Sequence, residues 1–227
     1  RDSLPDIETI TGEHTMVVSL LNGVDSEELI GQRIGMEHMI YSLIRIASHR
    51  IGNSIHFSLP KGYNGIYIGI PNQPACQDPR LAAIAEIFAD TPVTLHLSDD
   101  ILLDMWDKFG LNVSRNLPQA ILGVGIGVYD DSIYADAIMR KMRHEVVLVA
   151  NAKGIPLTDE FKAAKWLPSQ RYSTLQDLDA HRHTEIDMFS GALIRMGKEV
   201  GVECPYNEMT YNLIKALEEK NDGKFDY

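Results

Sequence analysis

Apolar positions run in two different rhythms along this chain. Through the first seventy residues they come in short, nearly continuous runs separated by turn residues. Thr15-Met-Val-Val-Ser-Leu-Leu21 is one such run, stopping at Asn22-Gly23 as a buried parallel strand would. Asp25-Ser-Glu-Glu28 then places acidic residues in the first turn of a short helix, where backbone amides lack partners. Met39 to Ala47 reads as a second strand. Ser54 to Ser58 and Gly65 to Gly69 read as a further pair, joined by the turn Pro60-Lys-Gly-Tyr-Asn-Gly65.

A break follows at Pro71 to Pro79, and beyond it the period becomes helical, over about 81–90, 99–122, 130–152, 158–165, 174–200 and 207–220. Ser98-Asp-Asp100, Asp130-Asp-Ser132 and Thr158-Asp-Glu160 supply helix starts. Gly154-Ile-Pro156 and Gly201 to Pro205 supply stops. The expected organisation is therefore an α/β segment over 1–74 and an all-α domain over 75–227. No internal repeat interrupts it. The α/β segment has few strands and one short helix, too little to cover a parallel sheet made of βαβ units. The expectation is that residues upstream of Arg1 complete it.

Composition narrows the classes. At 227 residues with 44% hydrophobic content the chain can bury a core. No run of about eighteen apolar residues predicts a membrane span, and Arg1 to Asp6 has no apolar signal-peptide region. Cys76 and Cys204 fit no metal or redox spacing, and they predict thiols in a reducing, cytoplasmic setting. A net charge of −11 argues against nucleic acid and anionic membranes as partners. Lys108 and Arg115 could still meet a small anion.

Two polar clusters carry the candidate chemistry. Lys108, Asn112 and Asn116 are spaced i, i+4 and i+8, which on a regular helix puts them within an arc of about 80°. A lysine flanked by carboxamides is odd on a solvent face and too polar for a core; it suits a site that donates a proton and holds an oxygen-rich substrate. About sixty-five residues on, Ser173 and Thr184-Glu185-Ile-Asp187 offer a hydroxyl and a carboxylate. Each has a plain structural alternative: a surface lysine, asparagines bonding helix to helix, an N-cap serine, a solvated helix glutamate, and for Asn22 a simple turn. His181 and His183 cannot share a helix face at i, i+2. His144-Glu145 lacks the second histidine of a zinc-protease motif, and no Gly-x-Ser-x-Gly elbow or Walker loop occurs.

Taken in order, Ser19-Leu-Leu-Asn22-Gly23-Val-Asp25, Lys108-x3-Asn112-x3-Asn116, Ser173 to Asp177, Thr184-Glu185-Ile-Asp187, Gly191 and Gly201 to Asn207 resemble the ketopantoate reductase (2-dehydropantoate 2-reductase) family. The resemblance spans about residues 10–220. It implies the last part of a Rossmann-type NADP-binding domain, followed by a helical domain resembling the C-terminal domain of 6-phosphogluconate dehydrogenase. It also implies NADPH-dependent reduction of ketopantoate to pantoate, on the route to pantothenate and coenzyme A. Lys108 would be the general acid, with Glu185 beside it and near the cofactor. Asn112, Asn116 and Ser173 would bind substrate, and Asn22 would touch both the nicotinamide end and the substrate. No metal is implied, and a homodimer is allowed.

The family's Gly-x-Gly-x-x-Gly fingerprint is not present. Gly123-Val-Gly-Ile-Gly127-Val128 follows a helix and has valine at the third required position, so this chain alone is expected to bind NADPH poorly and to be inactive. Other departures are Leu21 for the usual Gln, Ser190 for Asn, and Tyr172 and Thr174 for Ser and Met; they are expected to alter the lining of the cleft and so the substrate. The alternatives are a related 2-oxo or 3-hydroxy acid reductase, or a non-catalytic helical dimerisation module.

Overall fold

A computed structural model describes residues 3–46, 48–51, 54–57, 64–161, 167–225 and 227. Most of the turn expected at 60–65 and the second half of the helix expected at 158–165 lie outside these; the described residues 158–161 are not helical. The chain forms two compact units, Arg1–Met105 and Trp106–Tyr227. The first thus extends thirty residues past the change in periodicity near 75, because the segment after that change completes its sheet.

In the first unit, α1 (Leu4–Ile10), β1 (Val17–Val18) and α2 (Ser26–Ile34) precede β2 (Met39–Arg45). A two-stranded ribbon, β3 (Ser48–Ile51) with β4 (Ser54–Phe57), leads to β5 (Gly65–Gly69), α3 (Pro79–Phe88) and β6 (Leu95–Leu97). The four-stranded sheet has the order β1-β2-β5-β6 and is mixed rather than parallel. β1 runs parallel to β2 and β6 parallel to β5, but β2 and β5 are antiparallel, with Tyr41 opposite Gly69 and Arg45 opposite Gly65. Parallel neighbours need a crossover; α3 provides one between β5 and β6, whereas among the described residues the ribbon is what lies between β2 and β5. The same ribbon corrects the expected pairing, since β4 bonds to β3 and not to β5.

Ile40, Ile66, Ile68, Ala75, Leu81 and Ile84 form the core of this unit. Leu81 and Ile84 face it from α3, whose start is fixed by Pro79 in the first turn and by the Asp78 carboxylate accepting from the Arg80 amide at 2.9 Å. β6 is three residues long, too short to give a strand signal of its own.

The second unit is helical: the end of α4 (Ile101–Leu111), a π-turn (Asn112–Asn116), α5 (Leu117–Leu122), α6 (Val128–Asp131), α7 (Ile133–Ala152), α8 (Ser173–Asp179), α9 (Ser190–Val200) and α10 (Pro205–Asn221). α7 is its axis, burying Met142, Val146 and Val149 and packing on the π-turn, α6, α9 and α10. Buried Glu145 reaches from α7 to cap α10, accepting from the amides of Tyr206 at 2.8 Å and Asn207 at 3.0 Å and from Asn207 Nδ2 at 2.6 Å. A carboxylate there satisfies orphan donors and meets the positive end of the helix dipole. The single helix expected over 174–200 is broken into α8 and α9. Between them the amide and hydroxyl of Thr184 both donate to Glu218 at 2.7 Å, and His181 takes a positive φ of 52°. Those tertiary bonds outweigh the helical period.

One carboxyl of the first unit is held in a costly place. Glu27, only 1% exposed, sits in the first turn of α2, where Ser26 Oγ donates to it at 2.9 Å and also meets Ser19 Oγ at 2.8 Å. Burial raises its pKa from 4.5 to about 7, against hydrogen bonds from its own backbone, Ser26 and Ser42. A raised acid favours folding fully below its unfolded value and loses that contribution as pH rises through the folded one. Glu27→Gln should therefore gain stability relative to the parent between about pH 4.5 and pH 7 and level off above, as read from thermal midpoints across pH 4–8. A pH-independent difference would show that Glu27 does not titrate in this way.

Candidate active site

The helical run from α4 to α5 does not keep one period. At 112–116 it widens to i→i+5 bonding, a feature often found at functional sites. A π-turn advances less per residue than an α-turn, so the arc of about 80° drawn for a regular helix narrows and residue 116 swings back toward the direction of Lys108. Side chains take up backbone carbonyls along this stretch. Ser114 Oγ donates to the Gly110 carbonyl at 2.7 Å, and the buried Tyr129 hydroxyl donates to the Arg115 carbonyl at 2.5 Å.

The residue before Lys108 is pinned as well. Arg143 of α7 is fully buried and donates from Nη1 to the Asp107 carbonyl and from Nη2 to Asp107 Oδ1, each at 3.3 Å, and from Nη2 to the Thr158 carbonyl at 2.9 Å. Burial lowers its pKa, while Asp107 opposes the shift. Its guanidinium and that of Arg115 both lie over the Phe161 ring, at 5.1 and 4.3 Å.

The expected site residues fall as follows. Lys108 and Asn112 are half-buried, on α4 and the π-turn. Asn116 is 2% exposed, and its carboxamide bonds the start of α8: Nδ2 donates to Ser173 Oγ at 3.2 Å and Oδ1 accepts from the Thr174 amide at 3.2 Å. Asn116 of the first cluster thus bonds Ser173 of the second, through a helix-to-helix bond, the plain alternative for this asparagine. Ser173 begins α8 and is exposed. Glu185 is half-buried and lies in the turn before α9, not in a helix as expected. Its backbone carbonyl accepts from the amides of Met188 and Phe189 at 2.9 and 3.2 Å. That turn is anchored by Glu218; burial raises the Glu218 carboxyl, but the Thr184 bonds and Lys215 together bring it below the usual range. Asn22 belongs to the first unit, in a bend four residues past the end of β1 and not at the strand's edge, beside Gly23 with φ of 106°.

Gln119 was legible as a third carboxamide at i+3 from Asn116, yet it was not foreseen. It is fully buried, donating from Nε2 to the Gln170 carbonyl at 2.8 Å and accepting at Oε1 from the Tyr172 amide at 2.9 Å. The glycine run at 123–127 serves the same segment. The Gly127 amide donates to the Pro168 carbonyl at 2.9 Å, and the Ile126 amide to the Gln170 carbonyl at 3.0 Å. These glycines therefore seat a protein strap and do not cradle phosphate. Among the described residues no glycine-rich strand-to-helix turn offers a dinucleotide's phosphates a seat, and no group of three His, Cys, Asp or Glu side chains could hold a metal.

Three of the four departures noted in the sequence prove to be framework. Ser190 is fully buried and donates to Asn207 Oδ1 at 2.8 Å; Thr174 is buried; Tyr172 packs against the cluster of Ile126, Tyr129 and Met139. Leu21, at 57% exposure, is the one left at the surface. A cavity of about 600 Å³ opens on the second unit between α7 and α10, lined by Arg140, Lys141, His144, Leu148, Asp159 and Tyr206, but none of the candidate residues lines it.

Family models decide the kinship. The model for the C-terminal part of PanE/ApbA ketopantoate reductases matches residues 100–218, and that for ketopantoate reductase PanE/ApbA matches residues 1–73. The chain belongs to the ketopantoate reductase family. This is an oxidoreductase family. The chain is 28% identical over 218 residues to a 2-dehydropantoate 2-reductase of Caulobacter vibrioides, covering 92% of this chain and 71% of that one. An Aquifex aeolicus 2-dehydropantoate 2-reductase is 25% identical over 96% of this chain and 73% of its own length. In fold it is similar to a ketopantoate reductase of Ralstonia eutropha, with a TM-score of 0.80 and 24% identity over 97% of this chain and 72% of that one. It is equally similar to a D-mandelate dehydrogenase solved with NADH and anilino(oxo)acetate, with a TM-score of 0.83 and 23% identity over the same shares.

The glycine seat is directly testable. A Cβ on Gly125 would stand 2.2 Å from the Pro168 carbonyl oxygen and 2.8 Å from Ser169 Cα, both backbone atoms. Gly125→Ala should cost about 1–3 kcal/mol in urea unfolding. An unchanged midpoint would mean the strap is not seated there.

Proposed function

We propose that this chain carries the substrate side of an NADPH-dependent reduction of ketopantoate to pantoate, in pantothenate and coenzyme A synthesis. The observation that supports it most is the 3.2 Å bond from Asn116 to Ser173, which joins the Lys108 helix to the second polar cluster within a ketopantoate reductase family chain. Reduction of a 2-oxo acid adds a hydride at the carbonyl carbon and a proton at its oxygen, and the hydride is what a nicotinamide cofactor supplies. This chain's residues act on the other half. The Lys108 ammonium stabilises the charge that builds on the oxygen and gives it the proton. Asn112 and Ser173 bind the substrate's hydroxyl and carboxylate, while Asn116 contributes its remaining Nδ2 hydrogen and holds Ser173. Glu185 keeps Lys108 charged and lies by the cofactor, and Asn22 meets both cofactor and substrate. The setting is the cytoplasm. A homodimer is the assembly in view, as a Staphylococcus aureus ketopantoate reductase of this fold is described as dimeric.

One observation favours a second reading. The D-mandelate dehydrogenase with this fold was solved with NADH and anilino(oxo)acetate, which supports reduction of a related 2-oxo acid with NADH as the second reading. The natural protein that carries this sequence should oxidise NADPH in the presence of ketopantoate, and Lys108→Ala should lower kcat on the order of 10²–10⁴-fold. Turnover with an aryl 2-oxo acid and NADH alone would select the second reading. Full turnover by Lys108→Ala would remove Lys108 from the chemistry.

A further inference from the structure

Gln119 stands behind the proposed substrate contacts and touches none of them, and its bonds point to a defined task. The Tyr172 amide can only donate, so the atom of Gln119 facing it at 2.9 Å is the acceptor Oε1; Nε2 then faces the Gln170 carbonyl at 2.8 Å. The same logic orients Asn116. The Thr174 amide fixes Oδ1, so Nδ2 donates to Ser173 Oγ. A hydroxyl that accepts from behind has its own hydrogen left to donate, and Ser173 is exposed to do so. Two carboxamides at i and i+3 thus grip residues 170–174 at the Gln170 carbonyl, the Tyr172 and Thr174 amides and the Ser173 hydroxyl, and Gly125 and Gly127 hold the preceding Pro168.

We infer that Gln119 is a positioning residue for substrate binding: with Asn116 it fixes the 170–174 strap so that the Ser173 hydroxyl donates outward to an anionic group, the carboxylate of the 2-oxo acid. This rests on the reading that Ser173 binds substrate. Because Gln119 acts on a binding contact and not on Lys108, its loss weakens substrate binding more than turnover.

The test is a double-mutant cycle on the full natural protein. Gln119→Met, of similar length without either hydrogen bond, should raise KM for the 2-oxo acid about tenfold and move kcat and the nicotinamide KM less than about twofold. In a Ser173→Ala background the same substitution should no longer change KM, since the contact it serves is gone. Amide exchange at Tyr172 should quicken in Gln119→Met whatever the activity. Should Gln119→Met not fold, Gln119→Glu keeps the acceptor for Tyr172 and sets an oxygen against the Gln170 carbonyl, with the same expected rise in KM. An unchanged KM, an equal rise in the Ser173→Ala background, or unaltered Tyr172 exchange would each overturn the positioning role. A Ser173→Ala protein with parental KM would instead overturn the reading of Ser173 as a substrate contact, and this inference with it.

Discussion

The second unit depends on one irregularity, the π-turn at Asn112–Asn116. A single widened turn leaves helical backbone groups without regular partners, and a buried unpaired carbonyl costs on the order of 1–3 kcal/mol. The fold meets that cost with Tyr129, whose hydroxyl takes the Arg115 carbonyl, and Tyr129 is placed by α6 packing on α7. What the turn returns is direction. It brings Asn116 around to reach α8 while Asn112 stays half-exposed, so one helical run both binds its neighbour and keeps polar groups open.

Buried carboxylates do similar work elsewhere in this unit. Glu145 caps α10 and Glu218 anchors the turn that carries Glu185, each accepting from backbone amides. Buried Arg143 answers with main-chain carbonyls from the opposite sign. Each places a loop or helix end whose own sequence would not hold it, and that is how the turn before α9 survives inside a stretch with a helical period.

This explains which features the sequence made legible. The caps at Asp100 and Ser132 and the Gly201–Pro205 stop are local signals, and each appears in the structure. What stayed hidden was settled by tertiary partners. The α8–α9 break is decided by Glu218, thirty-four residues away from Thr184. The direction of β5 is decided by its antiparallel pairing with β2, and β6 by a neighbour that pairs with it. A π-turn has no residue signature, so the 108–112–116 stripe could be drawn only on a regular helix. Gln119 had a signal, its spacing from Asn116, but a carboxamide beside Pro118 in an apolar segment reads as ordinary without the strap it holds.

The same distinction bears on substrate identity. The substitutions at Tyr172, Thr174 and Ser190 were expected to retune the cleft. They instead sit in the framework: Ser190 exchanges a hydrogen bond with Asn207, Thr174 is buried at the head of α8, and Tyr172 fills an apolar cluster. They therefore carry little information on what the substrate's side chain must be. In the proposed function, discrimination between ketopantoate and another 2-oxo acid rests on groups that remain open, and among the departures only Leu21 does. A polar glutamine replaced by an exposed leucine beside the Asn22-Gly23 bend trades a hydrogen-bonding surface for an apolar one. In the proposed function, a hydrophobic contact of that size there shifts preference by about 1–3 kcal/mol, on the order of 10–200-fold, toward the more apolar substrate. On that argument Leu21→Gln, more than any change on α8, is the substitution that should move the ratio of kcat/KM values back toward ketopantoate.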